Sequence, residues 1–325
     1  MKKNIAITYG GFSGEAKISA KSADLVMMNI DTKLYNPFLV RITDINWVVE
    51  IGKDSFPINK NDFSFIKGEK TIKFDAVFNV IHGTPGEDGK LQGYFDLIGI
   101  PYNNSDVLTS AITFNKNICN NLIKRLGINA AESILIKKGQ KVEIGKLAEK
   151  VGLPCFIKPN KGGSSIGTSK VSKKSDISEA IEKALNEDDE VLIESYIKGR
   201  ELTSGVFRYK DELIAFPITE IITGNEFFDF EAKYTDGVTQ EITPAEVSKK
   251  ISALAQKTSK FIYEKLECKG FARVDYILVG EQLFFLEINT VPGMSKNSIV
   301  PQQARAMGIT DKELITMAIE QTIGW

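Results

Sequence analysis

The stretch FARVDYILVGEQLFFLEIN, residues 271–289, reads as two strands, 271–279 and 283–289, that pair antiparallel. Side chains alternate along a strand, so Arg273 shares a face with Asp275, and Glu287 shares one with Asn289. Four polar groups then converge. Aspartate, glutamate and asparagine oxygens are hard ligands suited to magnesium, which in nucleotide enzymes takes one or two carboxylates plus phosphate oxygens and water. The planar fork of Arg273 suits a transferring phosphoryl group or a developing oxyanion. A surface ion network across two strands would show the same spacing. The neighbours Phe284, Phe285, Leu286 and Ile288 favour a largely buried strand, where acidic side chains without a cation are strongly disfavoured.

Further upstream, Phe156-Ile157-Lys158-Pro159 runs into Asn160-Lys161-Gly162-Gly163-Ser164-Ser165-Ile166-Gly167, a strand that delivers a lysine and then a flexible loop. Glycines let backbone N–H groups approach phosphate oxygens, the serines add hydroxyl donors, and Lys158 supplies a point charge. No Gly-Lys-Ser/Thr opens a helix here, so this is not a Walker loop, and a plain Gly/Ser turn has the same composition. The glycines of Gly10-Gly11-Phe12-Ser13-Gly14-Glu15 do not match the dinucleotide spacing, so a glycine-loop dehydrogenase has little support. Glu15 stands near a helix start, either as a site residue or as an acid complementing the helix dipole. His82 is the only histidine and lies at a strand end beside Gly83, either structural or functional.

Composition narrows the class. A chain of 325 residues suggests two or three domains, and 42% hydrophobic with 26% charged residues is ordinary for a globular protein. Lys and Arg total 41 against 42 Asp and Glu, so nothing draws the whole molecule toward nucleic acid or an anionic membrane, and any anion site is local. Cys119, Cys155 and Cys268 are odd in number and far apart, without zinc spacing, which points to reduced buried thiols. The N-terminal apolar run is too short for a signal peptide, and no run of about 18 apolar residues occurs, so a cytoplasmic protein with neither membrane nor nucleic-acid partner is expected.

Along the chain, 4–9 reads as a buried strand leading through the glycine turn into a helix ending near Met28. Residues 37–42 and 75–81 read as strands and 88–98 as a helix, giving an open α/β unit of about a hundred residues. Helical spacing runs from 106 to 126, then strand and helix alternate at 133–136, 144–151, 155–158 and 178–185. Strands dominate from 191, with a hairpin through Tyr209-Lys210-Asp211-Glu212. Residues 223–244 are polar and poorly periodic yet carry Phe227, Phe228, Phe230 and Tyr234, which suits a lid better than a free linker. A helix over 247–266 precedes the strand pair, and one or two helices close the chain.

In order and spacing these segments resemble the ATP-grasp superfamily, and within it the D-alanine–D-alanine ligase family, over almost the whole length. The resemblance rests on the Gly10 to Glu15 turn, on His82-Gly83 with Gly86-Glu87-Asp88-Gly89 and Leu91-Gln92-Gly93, and on Lys158-Pro159 with Gly163 to Gly167. It continues through Glu194 and Glu201, Glu231-Ala232-Lys233-Tyr234, Arg273-Val274-Asp275, and Glu287-Ile288-Asn289-Thr290-Val291-Pro292-Gly293-Met294 with Ser298. It implies a three-domain α/β fold: an open N-terminal domain over 1–105, a central ATP-grasp subdomain over 106–193, and a C-terminal one over 194–325 with the lid at about 223–244. It also implies ATP-dependent, ADP-forming ligation of two D-alanines through a D-alanyl phosphate, for peptidoglycan precursor synthesis.

By the same resemblance, two magnesium ions, replaceable by manganese, would sit on Asp275, Glu287 and Asn289. Lys116, Lys158, Ser164, Ser165, Glu194, Ser195, Tyr196, Ile197, Glu201 and Lys233 would bind ATP. Glu15 would anchor the first D-alanine, Ser164 and Tyr234 would form a lid-closing network, and His82, Arg273, Gly293, Ser298 and Ile299 would serve the second substrate and the reacting carbonyl. A homodimer is the implied assembly. The phenylalanines at 227, 228 and 230 replace tyrosines common in relatives, whereas Tyr234 stands where ester-forming relatives carry phenylalanine and so favours the amide product. The competing readings are a ligase of the same superfamily for D-lactate or another amino acid, and a nucleotide-binding module without catalysis.

Overall fold

The computed structural model describes residues 2–223 and 239–324. The strand Lys3–Gly10 lies between parallel neighbours, Tyr35–Ile42 and Ala76–Asn79, and the sheet continues through Trp47–Ile51 and Asp54–Pro57. A strand covered on both faces reads as an unbroken apolar run, and Ile5, Ala6 and Ile7 have no exposed surface. At Gly10 the backbone takes φ +103°, and a Cβ there would stand 2.5 Å from the Ile42 carbonyl oxygen, so only glycine turns the chain at this point. Helix Ala16–Asn29 follows, with Glu15 at its N-cap position.

A four-stranded antiparallel sheet is built in the order Ser169–Val171, Cys155–Pro159, Glu190–Ser195, Ser133–Lys137. Helices Ile144–Val151 and Ile177–Leu185 cover one of its faces, enclosing Cys155, Ile157, Val191 and Ile193. The largest sheet runs Thr239–Ile242, Thr219–Thr223, Arg200–Tyr209, Phe271–Val279, Gln282–Asn289, Asn129–Ala130, with Glu212–Ala215 pairing the far half of Arg200–Tyr209. Helix Lys249–Lys265 packs beneath it, together with Cys119 and Ile123. The last helices, Ile299–Ala306 and Asp311–Ile323, place Val300, Ala304, Leu314, Ile315 and Ile319 in one core with Ile5, Ile7 and Val26. The first sheet and the largest sheet are therefore joined through shared packing, which fixes Glu15 relative to the end of the chain.

Three expectations need correction. The helical stretch 106–126 is two helices, Val107–Phe114 and Lys116–Arg125, because Asn115 is extended and its side chain accepts the Ile118 N–H at 3.0 Å, capping the second helix. Residues 239–242, inside the expected lid loop, form a strand whose Glu241 registers with Ile221; the phenylalanines 227, 228 and 230 lie outside the described residues. The strand 283–289 is not one alternating run. The register against Phe271–Val279 shifts at Asp275/Tyr276, leaving Leu286 as an extra residue. Without that bulge, Glu287 would continue the phase of buried Leu283 and Phe285 and enter the core. The three cysteines are free and buried, and among the described residues no helix is long and apolar enough to cross a membrane.

Candidate functional site

A cavity of about 390 Å³ opens between the four-stranded and the largest sheet. Its floor is the antiparallel strand pair Phe271–Val279 and Gln282–Asn289. Arg273 registers with Asn289 and Asp275 with Glu287, so the two i, i+2 pairs do converge. Asp275 is 3% exposed and collects donors from three strands: Arg273 Nε to Oδ1 at 2.9 Å, Arg273 Nη2 to Oδ2 at 2.7 Å, Thr203 Oγ1 to Oδ1 at 2.5 Å, and Asn289 Nδ2 to Oδ2 at 3.2 Å. A carboxylate that attracts this many donors marks a concentration of negative potential, with Glu287 directly opposite. Among the described residues no group of three or more His, Cys, Asp or Glu side chains gathers to hold a metal. Two carboxylates and one amide are hard oxygen donors, of the type that suits magnesium when phosphate oxygens and water complete the shell.

The roof comes from the four-stranded sheet. Cys155 and Ile157 point into the core, so alternation turns Phe156 and Lys158 to the cavity. Lys158 Nζ meets Glu194 Oε2 at 2.5 Å, both nearly solvent-free, and Asn120 Nδ2 donates to Glu194 Oε1 at 2.6 Å. Tyr196 stands edge-on to Phe156 at 5.8 Å and beneath the Lys170 ammonium, while Ile197, Glu201, Ile221 and Ile277 supply a mostly apolar wall at that end. Ser195 also borders the cavity, though its hydroxyl is turned to the Val151 carbonyl, 2.7 Å away.

Between floor and roof runs the glycine-serine loop. Ser164 and Ser165 adopt φ of +52° and +58°, conformations that L side chains rarely take and that cluster where a loop must present its atoms to a ligand. The helix break at Asn115 aims the N-terminus of Lys116–Arg125 at this loop: Lys116 N–H donates to Asn160 O at 3.1 Å, and Lys116 Nζ to Gly162 O at 2.5 Å. Burial pushes the Lys116 ammonium pKa down, with Glu287 opposing and Lys158 adding to the fall. A desolvated ammonium resting on a neutral carbonyl is suited to receive an anion.

At the open end of the loop lies Glu15, 7% exposed. Its carboxylate makes no cap bond to its own helix and instead accepts from Ser164 Oγ at 2.5 Å. Glycines form its cradle: a Cβ at Gly163 would come within 2.8 Å of one Glu15 oxygen, and a Cβ at Gly83 within 2.9 Å of the other. The Glu87 carboxylate accepts the Gly83 N–H at 3.0 Å, and its own backbone N–H donates to the Gly83 carbonyl at 2.8 Å; burial, with Glu15 alongside, raises its carboxyl to about 7. His82 is buried, and burial lowers its pKa against the pull of Glu15, with Arg273 adding to the fall. Ser298 is at the N-cap position of Ile299–Ala306, its hydroxyl accepting from Ser295 N–H at 2.9 Å, and a Cβ at Gly293 would stand 2.7 Å from it. Ile299 is packed in behind.

The structure thus gathers Lys116, Lys158, Ser164, Ser165, Glu194, Glu201, Arg273, Asp275 and Glu287 around one cavity, with Glu15 joined to it through Ser164. Lys233 and Tyr234 lie outside the described residues. Sequence reasoning missed Thr203, Asn120 and Glu241, and it quoted Glu87 only within its glycine motif, without a role. Glu241 sits beside the floor, where Gln302 Nε2 donates to it at 2.6 Å and burial raises its pKa.

Two family models match successive segments of the chain. Residues 4–105 match the family model of the D-ala D-ala ligase N-terminus, and residues 122–320 that of the D-ala D-ala ligase C-terminus. The D-alanine–D-alanine ligase of Azobacteroides pseudotrichonymphae genomovar. CFP2 is 49% identical over 321 residues, covering 98% of this chain and 99% of that protein. That of Flavobacterium johnsoniae is 48% identical, covering 99% of each. Among solved structures, the VanG D-Ala:D-Ser ligase from Enterococcus faecalis superposes with a TM-score of 0.89 at 32% identity, covering 99% of this chain and 100% of that one. The D-alanine–D-alanine ligase from Bacillus anthracis complexed with ATP superposes with a TM-score of 0.80 at 31% identity, covering 99% and 98%.

Proposed function

The chain belongs to the D-alanine–D-alanine ligase family of ATP-grasp enzymes, and on that premise we propose that it joins two D-alanines into D-alanyl-D-alanine, with ATP, for peptidoglycan precursor synthesis. The observation that carries this reading is the floor of the cavity, where Arg273, Asp275 and Glu287 face the lysines and the glycine-serine loop, with Asn289 in register with Arg273 on the neighbouring strand.

A carboxylate is a poor electrophile. One oxygen of the first D-alanine carboxylate attacks the γ-phosphorus of ATP, the bond to the bridging oxygen breaks, and ADP leaves a D-alanyl phosphate. The neutral amine of the second D-alanine then attacks the acyl carbon, phosphate departs with the former carboxylate oxygen, and the amine loses its proton as the amide forms. Lys116, Lys158, Ser165 and the loop N–H groups would cradle the phosphates, with Lys233 from the opposite side. Tyr196, Ile197, Glu194 and Glu201 would take the base and ribose, Ser195 through its backbone. Glu15, held by Ser164, would fix the ammonium of the first D-alanine, and Tyr234 would add to that network.

Asp275, Glu287 and the amide oxygen of Asn289 would hold two magnesium ions, or manganese, which when bound neutralise phosphate charge during transfer. Arg273 is oriented by its fork to Asp275 and would stabilise the oxyanion at the acyl carbon. Gly293, Ser298 and Ile299 would receive the second substrate at the N-terminus of their helix, where N–H groups favour a carboxylate. A homodimer in the cytoplasm completes the reading.

The test is coupled ADP release with product analysis across D-alanine, L-alanine, D-serine and D-lactate. D-alanine alone is expected to support full turnover and to yield the dipeptide. Preferential turnover of L-alanine, or of D-lactate as second substrate, overturns the assignment. A second outcome follows from the Glu15 cradle: Gly163→Ala is expected to push the carboxylate aside and to lower kcat/KM for D-alanine by about 10- to 100-fold. Unchanged kinetics would remove Glu15 from the amino-acid site.

A further inference from the structure

His82 is the sole histidine of the chain and is buried beyond the end of the Ala76–Asn79 strand. Its Nε2 lies 3.3 Å from Ser22 Oγ, on helix Ala16–Asn29. The same oxygen accepts the backbone N–H of Met294 at 3.1 Å, and Ser22 has no exposed surface. One hydroxyl therefore ties together the first helix, His82 and the segment that carries Gly293.

Ser22 has no exposed surface, and among the described residues its hydroxyl has two partners, the Met294 N–H and His82 Nε2. Met294 takes a lone pair, so the buried hydroxyl hydrogen goes to Nε2, which accepts it, and the ring hydrogen sits on Nδ1. Burial keeps the ring neutral against the pull of Glu15. Nε2 is occupied by Ser22, so that nitrogen acts as a strut rather than as the base that receives the proton of the attacking amine.

We propose that Ser22 is a positioning residue for the second amino-acid subsite: its hydroxyl holds His82 as the Nδ1–H tautomer, and its oxygen anchors the Val291–Met294 segment behind Gly293. This rests on the ligase reaction proposed above. Loss of the hydroxyl would leave the Met294 N–H and His82 Nε2 without their buried partner and loosen the subsite that receives the amine. An acyl phosphate that waits for a badly placed amine is exposed to water.

A single histidine makes the test direct. The full chain, made without a histidine tag and labelled with 15N-histidine, gives one pair of ring-nitrogen signals, which report the tautomer. The wild type is expected to show protonated Nδ1 and unprotonated Nε2. Ser22→Ala is expected to shift that balance toward Nε2–H and to raise the ratio of ADP released to dipeptide formed by about threefold or more. A purely structural loss would lower both products together and leave the ratio at one. Nε2–H in the wild type, or a Ser22→Ala chain that keeps either the wild-type tautomer or the wild-type ratio, overturns the proposal. Should Ser22→Ala not fold, the wild-type tautomer decides. A wild type that makes no dipeptide from D-alanine removes the reaction while the ring signals still report the tautomer.

Discussion

Asp275→Asn is expected to lower ADP release by about three orders of magnitude, in line with the about 3–5 kcal/mol attached to removing one member of a buried ion pair. The substitution keeps the shape of the side chain and can still accept from Thr203. It removes the charge that holds the Arg273 fork from two donors and the charge that faces Glu287 across the strands. Arg273 would lose its fixed orientation over the cavity, and the hard-oxygen donor set would fall to one carboxylate. The apparent magnesium requirement should therefore rise as turnover falls. A magnesium titration of steady-state ADP release measures both, and turnover unchanged at limiting magnesium would take Asp275 out of the metal-holding floor.

Lys158→Met is expected to be the second most damaging change, and to act on ATP more than on D-alanine. Methionine keeps the length and apolar stem, so packing beside Phe156 is largely preserved. The lost ammonium leaves Glu194 with Asn120 as the neighbour that holds its carboxylate, in a position 4% exposed. Separating such a pair is destabilising by about 3–5 kcal/mol, so the melting temperature should fall along with the affinity for ATP. A double substitution, Lys158→Met with Glu194→Gln, is expected to recover much of the melting temperature but not the ATP affinity, since the phosphate partner remains absent. Calorimetric melting and ATP titration of the two variants separate these effects. Equal recovery of both would mean that Lys158 serves the pair alone.

How far the sequence carried is best seen residue by residue. The strand pair at 271–289 was legible because alternation is a local rule, and the pairing of Arg273 with Asn289 and Asp275 with Glu287 follows from it. The bulge at Leu286 was not, since a register shift belongs to two strands at once and leaves no mark in the composition of either. Helical periodicity over 106–126 hid the break at Asn115, whose cap competes with the helix only once Asn160 is there to accept Lys116.

Residues 239–242 look polar in isolation and become a strand by pairing with Thr219–Thr223. Thr203 and Asn120 were missed for a related reason. A threonine within a strand reads as β propensity and an asparagine on a helix as surface, whereas their partners, Asp275 and Glu194, are more than seventy residues away. The partner of the Glu15 carboxylate, Ser164, comes from 149 residues away, and neither segment records that contact by itself. Long-range contacts of this kind are set by packing between the sheets, and the sequence records them only through resemblance to chains that already pack this way.

The chemistry at the centre is the passage of an oxygen from the first D-alanine carboxylate to phosphate. D-alanine labelled with 18O in both carboxylate oxygens, turned over by the wild-type chain with unlabelled ATP in ordinary water, follows that oxygen directly. One 18O in each phosphate released, with the other retained in the new amide carbonyl, is the expected result. Phosphate free of label, formed in step with dipeptide, would mean that the carboxylate is never phosphorylated and would contradict the proposed reaction.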